Sequence, residues 1–163
     1  MNSKNKTIDP ALIGEWRNNR FRQFYSEDGY RFDGDIACPI SITNGGNNLH
    51  YGSDYYRMPG TPNSGTIVGD WRSDEQEETK HFHHDGSTLV HFDNESLAYF
   101  GTYSTNGNFI SNLECRSGYE TSGNEIILRF FDSTTARYTY SINQNTLSLT
   151  DQDGKVTIWT KWP

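Results

Sequence analysis

Turn signals recur along almost the whole chain. They are Asp28-Gly29, Asn44-Gly45-Gly46, Asp85-Gly86, Asn106-Gly107, Ser122-Gly123-Asn124, Asn143-Gln144-Asn145 and Asp153-Gly154, and the apolar runs beside them are about five to ten residues long. The segments between them, such as "STLVHF", "LAYFGTY", "NEIILRFF", "ARYTYSI" and "KVTIWTKW", are rich in aromatic and β-branched residues. Such side chains suit a pleated, half-buried surface, and Asp-Gly or Asn-Gly steps suit hairpins. No window carries a helical period; the best one, "SDEQEETKHF", is polar and brief. Hydrophobic residues are only 33% of the chain, but aromatics are 14%, which separates it from disordered chains. The pattern predicts an all-β fold: a meander, barrel or sandwich of short antiparallel strands.

The chain also repeats itself. "LIGEWR" (12–17) returns as "IVGDWR" (67–72), with the Gly, acid, Trp and Arg in the same order. "FYSEDGYRF" aligns with "FHHDGSTLVHF", and "ISITNGGNNLHYG" with "YSINQNTLSLTD". The closings "YYRMP" (55–59) and "WTKWP" (159–163) align Tyr55 with Trp159 and Arg57 with Lys161. Repetition of this kind marks a reused supersecondary unit. Taken in chain order it predicts a polar tail at 1–11, a short unit at 12–60, a linker at "TPNSG", and a longer barrel at 64–163. About fifty residues bury too little apolar surface to fold alone, so the two are expected to form one cooperative structure.

A Gly-x-Trp opening a meander, with a cation on its last strand, resembles the lipocalin and calycin group of barrels. The resemblance implies an antiparallel meander closed into a lipocalin-like β-barrel. In that group the Trp plugs the closed end, and the cation packs over its indole. Carried over in chain order, Trp71 is the plug with Lys161 as its cation, and Trp16 with Arg57 repeats the pair in the shorter unit.

The formal charge of −7, with no basic run, argues against nucleic acid or an anionic membrane as partner. The N-terminal stretch lacks the apolar run of a signal peptide, which points to the cytoplasm, where Cys38 and Cys115 are expected as reduced thiols. Exposed strand edges where the unequal units meet would favour a homodimer.

Chemistry-bearing residues are sparse. His81 and His83 form an H-x-H pair, with His91 on the next strand as a conceivable third metal ligand; a wet outer face is the plainer account. In "NLECRSGY", Glu114 and Arg116 share a strand face, and Arg129 sits on the following strand. Facing inward, they would orient a ligand or supply an acid/base carboxylate; facing outward, they are surface pairs. Tyr138 and Tyr140, and likewise Tyr99 and Tyr103, would form core or ligand wall. The resulting expectation is a barrel that binds a small hydrophobic or aromatic molecule in its interior, with no cofactor. One alternative is a cofactor-independent cyclase, isomerase or lyase with Glu114 or His83 moving a proton. Another is a structural or interaction module with a filled barrel.

Overall fold

The computed structural model describes residues 7–163. It is all-β, 59% strand and 2% helix, and contains a closed antiparallel barrel. In chain order the strands are β1 (Gly14–Arg17), β2 (Phe21–Tyr25), β3 (Tyr30–Asp35), β4 (Cys38–Pro39), β5 (Ser41–Thr43), β6 (Asn48–Tyr51), β7 (Ser53–Arg57) and β8 (Gly69–Ser73). They continue as β9 (Glu78–Phe82), β10 (Ser87–Phe92), β11 (Ala98–Asn106), β12 (Phe109–Ser122), β13 (Glu125–Phe130), β14 (Thr135–Asn143), β15 (Thr146–Thr150) and β16 (Val156–Lys161). The turn signals read from the sequence fall between strands or begin on a strand's last residue, as at Asn106, Ser122 and Asn143. No helix among the described residues is long and apolar enough to cross a membrane.

The chain divides into two compact units, one of Met1–Gly34 with Cys115–Pro163, the other of Asp35–Glu114. In the first, β1, β2, β3, the C-terminal part of β12, β13, β14, β15 and β16 follow one another around a ring. The pairing of β16 with β1 closes it. In the second, the ring runs β8, β9, β10, β11, the N-terminal part of β12, β4 with β5, β6 and β7. Here β7 pairs with β8 and closes it. The division expected near 60–64 is therefore corrected. The stretch from 58 to 68 joins two neighbouring strands of one ring, so no boundary can fall there. The polar tail expected at 1–11 is also shortened: residues 1–6 lie outside the described residues, and Asp9-Pro10 opens a turn in which Leu12 N–H donates to Asp9 O at 3.0 Å.

Matched hydrogen bonds show that the units repeat one plan. Trp16 Nε1 donates to Leu12 O and Trp71 Nε1 to Ile67 O, each at 2.8 Å. The Tyr119 hydroxyl donates to Ser26 O at 2.6 Å, and the Tyr103 hydroxyl to His83 O at 2.7 Å. Tyr140 N–H donates to Asn124 O, and Ile40 N–H to Asn108 O, both at 2.8 Å. Lys161 N–H donates to Asn145 O at 2.7 Å, and Arg57 N–H to Asn47 O at 2.8 Å. The order along the chain differs. The first unit begins with its Gly-x-Trp strand and ends with its cation strand, whereas in the second the cation strand β7 immediately precedes β8. The second unit is thus a circular permutation of the first, carried between β3 and β12.

Each unit has its own core. Leu12, Trp16, Tyr25, Tyr119, Ile126, Leu128, Tyr140, Leu147, Leu149 and Trp159 fill the first. Ile40, Leu49, Tyr55, Ile67, Trp71, Phe82 and Ile110 fill the second.

Candidate functional site

The plugged ends come directly from the Gly-x-Trp strands. Trp16 and Trp71 are 1% and 0% exposed. The Lys161 ammonium lies 4.6 Å from the Trp16 ring centroid, and the Arg57 guanidinium 4.3 Å from that of Trp71. The expected partners are therefore exchanged: Lys161 serves Trp16 and Arg57 serves Trp71. Register dictates this, since Trp16 stands opposite Lys161 and Trp71 opposite Arg57. The glycines of the motif have their own reason. Gly14 and Gly69 adopt φ of 121° and 138°, and a Cβ at Gly14 would stand 2.5 Å from Lys161 Nζ. Arg57 also donates to Gly46 O, before β6, at 2.9 Å, and to the loop that follows β7, meeting Thr66 O and Val68 O at 2.8 Å and Pro62 O at 3.4 Å. Lys161 has one such partner, Ile13 O. Burial lowers the pKa of both cations.

Behind the plugs the two interiors differ. By matched register, Lys80 of the second unit takes the place of Gln23, and Tyr55 that of Trp159. Tyr51 likewise replaces Leu149, Asn112 replaces Leu128, and Glu114 replaces Phe130. The Tyr55 hydroxyl donates to the carboxylate of Glu78, which is 8% exposed, and Lys80 Nζ lies 3.9 Å from the same carboxylate. Burial raises the pKa of Tyr51, reinforced by the carboxylates of Asp35, Glu114 and Glu78. Burial and the bond to Glu78 raise that of Tyr55. Between Tyr51, Lys80, Phe82, Thr88, Asn112 and Glu114 the cavity measures about 10 Å³, room for about one water molecule.

The residues singled out in the sequence are divided between the units. Glu114, Tyr99 and Tyr103 belong to the second; Arg116, Arg129, Tyr138 and Tyr140 belong to the first. Glu114 is half-buried beside the small cavity, whereas Arg116 is exposed. Arg129 is an outer-face residue 2.5 Å from Glu120. Tyr99 is buried with its hydroxyl on Glu95. Tyr138 packs against the first core, and Tyr140 donates to Asp9 at 2.7 Å. His83 is exposed in the hairpin after β9. His81 meets Asp70 at 2.7 Å and the ring of His91 edge-on at 5.2 Å. No group of three His, Cys, Asp or Glu able to hold a metal occurs among the described residues.

The larger space lies elsewhere in the second unit. A cleft of about 540 Å³ is lined by Ile40, Ile67, Tyr103, Thr105, Gly107 and His84 among others. It is an open groove and not an enclosed pocket that would bury most of a small ligand. Ile40, Ile67 and Tyr103 give it an apolar floor; Thr105 and His84 are exposed. Of these, only Tyr103 was anticipated from the sequence. Thr105 and Gly107 are marked by a second repeat, "YSTNGNFI" (103–110) and "YETSGNEI" (119–126), a shared Y-x-T-x-G-N-x-I; Ile40, Ile67 and His84 lie outside it. The chain matches no family model, no curated protein and no solved structure.

Proposed function

We propose that this chain is a lipocalin-like binding module of the cytoplasm, whose recognition surface is the cleft of the second unit and not the small cavity behind Trp71. The observation that carries this reading is the contrast in space. The interior behind Trp71 offers about 10 Å³, whereas the cleft offers about 540 Å³ over an apolar floor. A second reading, a small hydrophobic or aromatic molecule held inside the barrel, is favoured by the polar lining of Tyr51, Lys80, Asn112 and Glu114. Such a ligand would have to displace Tyr51 or Lys80.

Amide-resolved NMR of the whole chain against a library of small aromatic fragments and short peptides separates the two. Shifts at Gly86, Thr105 and Gly107 are expected. Shifts confined to Lys80, Asn112 and Glu114 would transfer the site to the barrel interior, and no shifts at either place would end both readings.

A further inference from the structure

In the first unit the surface equivalent to the cleft is covered by the chain's own segment 7–9. Thr121 N–H donates to Thr7 O at 2.8 Å. Asp9 N–H donates to Thr121 Oγ1 at 2.9 Å. The residue between them, Ile8, packs against the first core. The Asp9 carboxylate then accepts from the Tyr140 hydroxyl at 2.7 Å. One threonine near the end of a strand thus holds a tripeptide by three hydrogen bonds to its main chain, the third from Thr121 Oγ1 to Thr7 O at 3.4 Å, with an aliphatic side chain turned onto the core.

The second unit retains this receptor. Thr105 stands where Thr121 does, Tyr103 where Tyr119 does, and Gly107 where Gly123 does, within the repeated Y-x-T-x-G-N-x-I. All three line the cleft. The chain preceding β8 takes another path, because Arg57 holds it through Pro62 O, Thr66 O and Val68 O. The one changed contact is Tyr140, whose place is taken by Ile40.

Resting on the cleft as the recognition surface, we propose that its occupant is an extended peptide segment of a partner protein, centred on an aliphatic residue. It straddles Thr105 as segment 7–9 straddles Thr121. The Thr105 N–H meets the carbonyl before the aliphatic residue, and its hydroxyl meets the amide after it. This is strand addition, in which main-chain bonds give affinity and side-chain pockets give selectivity. The aliphatic side chain rests on Ile40, Ile67 and Tyr103. The following residue is apolar, because Ile40 offers no hydroxyl to a carboxylate and desolvating an unpaired acid is costly.

The test uses the full chain and two acetylated, amidated peptides, KTIDPA, which copies residues 6–11, and KTILPA. In amide-resolved NMR titrations KTILPA is expected to shift Gly86, Tyr103 and Thr105 and to bind about tenfold more tightly than KTIDPA. Thr105→Val, which keeps the N–H and loses the hydroxyl, is expected to weaken KTILPA about fivefold. Ile40→Tyr is expected to reverse the preference between the peptides. The proposal is overturned if the peptides shift Thr121 and Tyr140 instead, or if KTIDPA binds as well as KTILPA. If aromatic fragments move the cleft amides while both peptides leave them unmoved, the peptide assignment falls and the cleft reading stands. If neither moves them, both fall.

Discussion

In the first unit, Leu128, Phe130, Leu149 and Trp159 fill positions that carry Asn112, Glu114, Tyr51 and Tyr55 in the second. Both rings close, both bury a Trp at one end, and both set a cation over it. The first unit buries a charge of its own at another position: Arg31 is 8% exposed, its Nε donating to the Tyr25 hydroxyl at 3.4 Å and its Nη1 to Asp33 at 2.8 Å, so the one plan carries a different polar set in each unit. Burying polar groups is unfavourable unless they are paired, and the second unit pairs Glu78 with both Tyr55 and Lys80. The cations differ for a topological reason. β1 and β16 lie near the two ends of the chain, and Lys161 has one carbonyl to meet there. A loop joins β7 to β8, and the fork of Arg57 gathers four carbonyls from around it.

The largest effect should come from the feature the units share. Trp16→Ala and Trp71→Ala should each destabilise by ~3–5 kcal/mol in denaturant unfolding. A loss below about 1 kcal/mol at either site would mean that the two ends are not plugged alike. Next comes the difference between the cations. Arg57→Met should lose ~2–4 kcal/mol, because it removes the cation over Trp71 and leaves the buried Gly46 carbonyl, with three part-buried ones, without its donor; Lys161→Met should lose only ~1–2 kcal/mol. Double-mutant cycles should find coupling for Trp71 with Arg57 and for Trp16 with Lys161, and none for the exchanged pairs.

A third comparison concerns the polar interior. Glu78→Leu should cost ~1–3 kcal/mol by leaving the Tyr55 hydroxyl buried without its acceptor. Adding Tyr55→Phe should return part of that loss. If the double variant is no more stable than Glu78→Leu alone, the pair is not the unit of stabilisation.

The smallest effect is in pH. Burial, and then the bond to Asp9, push the Tyr140 pKa up to about 12, above the ~10 of an unfolded tyrosine. The folded state therefore holds this proton more tightly. The corresponding stability is fully present below pH ~10 and is lost as pH rises toward about 12. Tyr140→Phe should flatten this alkaline loss in thermal melts; an unchanged slope would remove Tyr140 as its source.

Much of the strand pattern was legible because a strand needs only local signals. Asp28-Gly29, Asp85-Gly86 and Asn106-Gly107 each mark a hairpin wherever the strands later pair. The repeat alignment also placed Arg57 against Lys161 and Tyr55 against Trp159, the equivalence the matched hydrogen bonds bear out. Its wiring was misread. Chain order suggested that "YYRMP" closes on the Trp before it, whereas β7 closes on the Trp after it. The cleft was missed for a related reason: Ile40, Ile67 and Thr105 lie far apart in sequence and meet only when the ring closes.

The sequence by itself determined the period, the turns and the motif pairs, because alternation, Gly conformations and Trp burial are local or composition-driven choices. The tertiary structure alone decided which cation meets which Trp, which unit each Tyr joins, and where β12 passes from one unit to the other. Its Glu114 lines the second unit, while the next residue, Cys115, is buried in the first. Those outcomes depend on ring closure, and a circular permutation changes the chain's order around a ring without changing the local signals of its strands.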